Sequence, residues 1–164
     1  MHLEMNTKTR LLVLMDSGRF KAYRMEESPR FRTPRLRLLE EWHTAVTQRI
    51  SDQVTDKCGQ FAKGSLSFSA INDMADGERH NLELELRRRA LKQMAGRLSE
   101  LLEREPVEGC YLAAEATINR RVLMAVGGSV RKKIQKNLRL NLTRLKPRCI
   151  VKHFRRATSP RAAH

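Results

Sequence analysis

Aromatic residues make up only 5% of this chain, and Trp42 is its one tryptophan. A core for 164 residues with so few rings must be assembled from Leu, Val, Ile, Met and Ala. The scarcity also argues against a platform for unpaired bases, which needs rings spread along a basic groove. Cysteine is scarce as well: Cys58, Cys110 and Cys149 are far apart and odd in number. They exclude a disulfide framework and lack the paired Cys or His spacing of a zinc site. Free thiols in a reducing compartment are therefore expected, with Cys110 and Cys149 as buried core residues. Long apolar runs are missing too. The cleanest one near the start, Leu11 to Met15, is closed by Asp16 and is too short for a signal-peptide core or a membrane span. The expectation is a soluble, cytoplasmic protein without a membrane partner. Its size and 40% hydrophobic content suit a single domain.

The absence with most consequence is of acid. No Asp or Glu follows Glu115, whereas the same stretch holds 14 Lys and Arg. Upstream, 19 Lys and Arg stand against 18 Asp and Glu, so nearly all of the net charge of +15 lies in the last third. A solubility device is spread over a surface, but a one-sided cationic region points to a polyanionic partner. Arg120, Arg121, Arg131, Lys132, Lys133, Lys136, Arg139, Arg144, Lys146, Arg148, Lys152, Arg155 and Arg156 are the candidate phosphate contacts. Such contacts position a protein without reading bases, and they weaken with salt. Phe154 is the lone ring among them, so backbone recognition of folded RNA is the expected mode. A membrane-surface helix needs a broad apolar face, and residues 129–137 offer only Val130 and Ile134.

Along the chain, Thr9 to Met15 is β-prone, Asp16-Ser17-Gly18-Arg19 reads as a turn, and Phe20 to Met25 returns as a hairpin strand. Leu36, Leu38 and Trp42 suggest a third strand whose register breaks after Leu39. From Thr44 to Arg79 the sequence is polar and aperiodic, a connection too long for an ordinary loop. Leu82, Leu86, Ala90, Met94, Leu98 and Leu101 or Leu102 then share one face of a helix over about Asn81 to Arg104, ended by Pro106. A buried strand over Gly109 to Ala116 and a short helix over "INRRVLMAV" follow. Gly127-Gly128 stops that helix, and Ser129 is placed to N-cap another, "VRKKIQKN". "LRLNL" alternates as a last strand with Leu138, Leu140 and Leu142 on one side, and Pro147 opens a closing helix. Antiparallel strands followed by βαβ units imply an α/β domain over 1–154 with one mixed sheet. Residues 155–164 form a basic, loose tail.

The stretches "LLVLMDSGRFKAYRM", "DKCGQF" and "NLTRLKPRCIVKHF" resemble the bacterial proteins named for attachment to host cells. Those are in turn similar to the middle domain of archaeal and eukaryotic class I peptide-chain release factors. In the factors a Gly-Gly-Gln loop, then Ser and Phe, precedes a helix opening with Arg-His-Asn. Here Cys58-Gly59-Gln60, Ser65 and Phe68 precede Arg79-His80-Asn81, and Val107, Gly109, Leu112 and Ala113 match the strand that follows. The resemblance covers roughly residues 9–154 and implies a ribonuclease-H-like sheet with the loop at one end. It also implies a ribosome- or tRNA-associated role, with ribosomal RNA or tRNA as partner. A chain of this length has no room for a separate codon-reading domain, so rescue of stalled ribosomes is expected rather than autonomous termination. The alternative is a surface attachment protein without catalysis.

On the release-factor pattern Gln60 aims a backbone N–H at developing oxygen charge, and Gly59 supplies the conformational freedom. Cys58 departs from the pattern, because its Cβ disfavours the positive φ that glycine adopts freely. Gly127-Gly128-Ser129 mimics the motif but is accounted for by a helix stop and cap. Asp16 and Glu115 fall near strand ends, where carboxylates can hold Mg²⁺ for phosphodiester cleavage. That chemistry wants three or four acids, and Asp16 more simply opens a turn. His80 reads as a capping or packing residue, and neither metal nor cofactor is expected.

Overall fold

The computed structural model describes residues 7–30, 32–46 and 76–156. Strands β1 (Lys8–Met15) and β2 (Arg19–Glu27) form the hairpin, in register from Lys8 opposite Glu27 to Met15 opposite Phe20. The turn closes because Asp16 N–H donates to Arg19 O at 3.0 Å, and Gly18 N–H donates to Asp16 Oδ1 at 2.8 Å. Strand β3 (Arg35–His43) pairs antiparallel with β2. Ala22 faces Glu40 and Tyr23 faces Leu38, which leaves Leu39 as the extra residue of a bulge. That bulge is why the alternation breaks at Leu39. Leu36 packs on one side of the sheet, whereas Leu39 and Trp42 pack on the other.

Helix α1 (Asp76–Arg104) crosses to β4 (Cys110–Ala114), which lies parallel beside β1. Helices α2 (Ala116–Ala125) and α3 (Gly128–Lys133) lead to β5 (Ile134–Leu138), parallel to β4, and α4 (Pro147–Arg156) closes the fold. The result is an α/β domain with one open mixed sheet of order β3-β2-β1-β4-β5 and four helices among the described residues. Only β2 runs against the others.

Each face of the sheet carries its own core. Leu11, Val13, Met15, Phe20, Ala22, Cys110 and Leu112 pack with Met94, Leu98 and Leu101 of α1 and with Ile118 and Val122 of α2. Leu12, Leu14, Tyr23, Met25, Tyr111 and Ala113 pack with Leu142 and with Ile150 and Phe154 of α4. A central strand covered on both faces must be apolar at every position, hence the unbroken run "LLVLM", in which all five residues are fully buried.

Several expectations are corrected. The helix expected over 130–137 ends at Lys133, and its second half falls in β5, because Ile134 pairs with Cys110 and joins the first core. The segment 138–142 is therefore not the last strand: Leu140 is exposed and only Leu142 is buried. Ser129 is not a cap, since α3 starts at Gly128 with Gly127 at the N-cap and no side-chain hydrogen bond there. Helix α1 begins at Asp76, so His80 lies beyond its first turn and is exposed, neither capping nor packed. Cys149 is exposed rather than buried.

Gly109 leaves room for the side chain of Gln135. A Cβ there would lie 2.5 Å from Gln135 Nε2 and 2.9 Å from Gln135 Cγ. Gln135 is the bulged residue of β5, left over where Cys110 faces Ile134 and Tyr111 faces Lys136.

Candidate nucleic-acid interface

Helices α2 and α3 contribute Ile118, Val122 and Val130 to one core, while α4 contributes Ile150 and Phe154 to the other. Edge strand β5 lies between them. The cations ride on the outward sides of these same elements, so they wrap around one edge of the sheet. Arg120 and Arg121 sit on α2, Arg131, Lys132 and Lys133 on α3, and Arg139, Arg144 and Lys146 in the segment after β5. All eight are exposed, and Lys136 of β5 is half-buried. On α4 the buried Ile150, Val151 and Phe154 oppose the exposed Arg148, Lys152 and Arg155. Spacings of four and three set those cations in one row. The Arg156 side chain lies outside the described residues.

Among the described residues the ion pairs with carboxylates all fall between Arg10 and Glu105, for example Arg97 with Glu40 at 2.8 Å and Lys21 with Glu41 at 3.1 Å. Hydrogen bonds that Arg97 donates to Glu40 and Glu100 push its guanidinium further up its already high range. Among the described residues, Arg120, Arg121, Lys132, Arg139, Arg144, Lys146, Arg148 and Lys152 pair with no carboxylate. Four others donate to neutral backbone carbonyls. Arg131 donates to Leu123 O, Lys133 Nζ to Leu102 O at 3.3 Å, and Arg155 Nη2 to Arg32 O at 2.7 Å. Lys136 Nζ donates to Phe154 O at 3.3 Å and lies 4.7 Å from the centroid of the Tyr111 ring. Like charges set this close repel one another, and a polyanion relieves that repulsion.

Parallel strands β1, β4 and β5 finish at the same end of the sheet, and a polar cluster forms there. Glu115 Oε2 accepts from Ser17 Oγ at 3.2 Å and Ser17 N–H at 3.4 Å. Asp16 Oδ2 accepts from Thr143 Oγ1 and from Asn141 Nδ2, and Thr44 Oγ1 donates to Ser17 O at 3.0 Å. Asn119 and Asn137 bond reciprocally beside them. Asp16 and Glu115 are thus both brought to the 16–18 turn, and both are engaged in holding it. No group of three metal-ligating side chains occurs among the described residues. Thr143, Asn141, Asn119 and Asn137 were missed in the sequence. The one available signal was Asn119, a polar residue one place from Ile118 on a helix that otherwise buries its apolar side.

The Cys58-Gly59-Gln60 loop, including the catalytic candidates Gly59 and Gln60, lies outside the described residues, as do Ser65 and Phe68. Gly127-Gly128 stands between α2 and α3 as a helix stop and start. Burial pushes the Cys110 thiol far up from its ordinary value, which makes it a poor nucleophile. No helix among the described residues is long and apolar enough to cross a membrane.

A single-sheet α/β domain with a cation-wrapped edge is the class that this fold defines. The chain belongs to the family described as "Protein required for attachment to host cells", which matches residues 11–154. The match begins inside β1 and ends inside α4, so it reaches all five strands and all four helices described. No curated protein matches the chain.

Proposed function

We propose that this protein binds the phosphate backbone of a folded RNA, tRNA or ribosomal RNA, through the cations wrapped around β5. One observation carries the reading: eight exposed Lys and Arg that pair with no carboxylate among the described residues, on stretches of sequence that contain no acid. Phosphate contacts of this kind position RNA without reading its bases. The likeness to release-factor middle domains extends the proposal to stalled ribosomes, with Gly59 and Gln60 presented to the peptidyl ester. The sheet order, with β2 alone reversed, supports the ribonuclease-H-like reading that this likeness implies. Sedimentation of tagged protein with ribosomes at low and high salt tests the proposal. Co-sedimentation that weakens with salt is expected, and absence from ribosomal fractions at both salts sinks it. A peptidyl-tRNA release assay with wild type, Gln60→Ala and Cys58→Gly tests the catalytic extension; equal background in all three removes it.

The family match favours a second reading, a part in attachment to host cells as the family's description states. Fractionation of intact cells separates the two. Protein found on the outer surface supports attachment and contradicts the ribosomal reading.

A further inference from the structure

A cavity of about 390 Å³ opens at the end of the sheet where β1 starts, β2 ends and α4 finishes. Lys8, Arg32 and Arg155 bring three positive charges to it, and Glu27 brings one negative charge. Glu27 is paired with Arg10, which offsets its charge, so among the described lining residues the three cations leave the wall net positive. Arg155 is held in place by its bond to Arg32 O at 2.7 Å, which leaves other N–H groups of its guanidinium to donate elsewhere. Pro29 and Pro34 supply a stiff apolar wall. The volume lies in the range of small-ligand sites, which pair apolar walls with a few converging polar groups.

The cavity also has a connection to the cationic edge. Helix α4 crosses its face of the sheet, since Leu142 and Thr143 just before it lie near Asp16 and its last turn reaches Arg32 at the other end. The exposed row Arg148, Lys152 and Arg155 runs along that crossing and finishes at the cavity.

We propose that this cavity binds a phosphomonoester, with the dianion between Lys8, Arg32 and Arg155 and the body of the ligand against Pro29 and Pro34. A dianion matches three cations better than the single charge of a phosphodiester does, and Arg presents a donor fork suited to phosphate oxygens. The group has two chemical sources, a free nucleotide or the phosphorylated end of an RNA strand. The second rests on the RNA reading above; the first does not.

Titration calorimetry of the full chain with AMP, adenosine and inorganic phosphate tests the free-nucleotide source. A binding competition between 5′-phosphorylated and 5′-hydroxyl RNA of one sequence tests the other. Binding of AMP at least about tenfold tighter than adenosine, or a comparable preference for the phosphorylated RNA end, supports the site. The preference should fall to near unity in Arg32→Ala and Lys8→Ala, two exposed residues outside both cores, with thermal melts confirming that each variant folds. No phosphate preference with either ligand pair, or a preference unchanged in both variants, overturns the proposal. RNA binding that depends on Arg120 and Arg121 but not on Lys8 or Arg32 leaves the RNA reading standing and removes this site alone.

Discussion

Asn119 and Asn137 bond to each other through both halves of their amides. Asn119 Nδ2 donates to Asn137 Oδ1 at 2.7 Å, and Asn137 Nδ2 donates to Asn119 Oδ1 at 2.9 Å. Asn119 also reaches Leu138 O at 3.3 Å and is almost fully buried, whereas Asn137 is exposed. The pair ties α2 to edge strand β5 across the cation-wrapped side of the molecule. Asn137→Ala is therefore expected to cost about 1–3 kcal/mol, because it strands the buried Asn119 carbonyl oxygen. An ordinary surface substitution costs about 0.5 kcal/mol or less. In a double-mutant cycle with Asn119→Leu, the combined loss should be smaller than the sum, and strict additivity in chemical denaturation contradicts the coupling.

Arg24 and Glu105 give the fold an acid-sensitive joint. Arg24 donates to Glu105 and holds its carboxyl below the ordinary carboxylate range. Arg24 Nε is buried without a partner, so Glu105 is the guanidinium's one described acceptor. A folded pKa below the unfolded one contributes stability that is complete above the unfolded value of about 4.3 and is lost as pH falls through the folded value. Glu105→Gln should be less stable at neutral pH by about 2 kcal/mol. The gap between it and wild type should narrow on acidification below about pH 4, and a gap that widens there contradicts the pairing. Thermal melts from pH 7 to pH 3 read this directly.

The two described thiols should separate by reactivity. Cys149 is exposed at the start of α4, while Cys110 is fully buried on β4 and its thiol is pushed up by burial. Under native conditions a small alkylating reagent should modify Cys149 and spare Cys110 by a factor on the order of 10³ or more, since Cys110 reacts only through unfolding. Peptide mass mapping over time checks this, and matched rates contradict the packing.

Phosphate binding by the cationic edge has a salt signature. Log affinity for tRNA against log salt should be linear, and Arg120→Ala and Arg144→Ala should each reduce its slope by about 1 where that side chain contacts a phosphate. Affinity should fall about equally for unrelated RNA sequences of the same shape, because backbone contacts carry no base information. A slope near zero in wild type contradicts an electrostatic interface.

The sequence was most legible where one physical demand dominates. "LLVLM" had to be a strand covered on both faces, Pro106 had to end α1, and Pro147 had to open α4. It was least legible around β5. There "VRKKIQKN" carries helix-compatible residues throughout, yet the open edge of β4 takes Ile134 to Leu138 as a parallel partner. Pairing and burial across the sheet outweigh propensity worth a few tenths of a kcal/mol per residue. Asn141 and Thr143, which bond Asp16 from far along the chain, carry no local pattern by which to find them.

By itself, the sequence determined the α/β class, the hairpin, the long α1 and the segregation of charge into the last third. Those properties follow from local periodicity, turn chemistry and composition, all of which are written along the chain. Tertiary structure alone decided that the cations of α2 and α3 lie beside edge strand β5 while the row on α4 crosses one face of the sheet toward Arg32. It also decided that Asp16 and Glu115 hold a turn, and that Lys8, Arg32 and Arg155 enclose one cavity. Those relationships join residues far apart along the chain, such as Arg155 and Arg32 at 123 positions, and only the folded sheet brings them together.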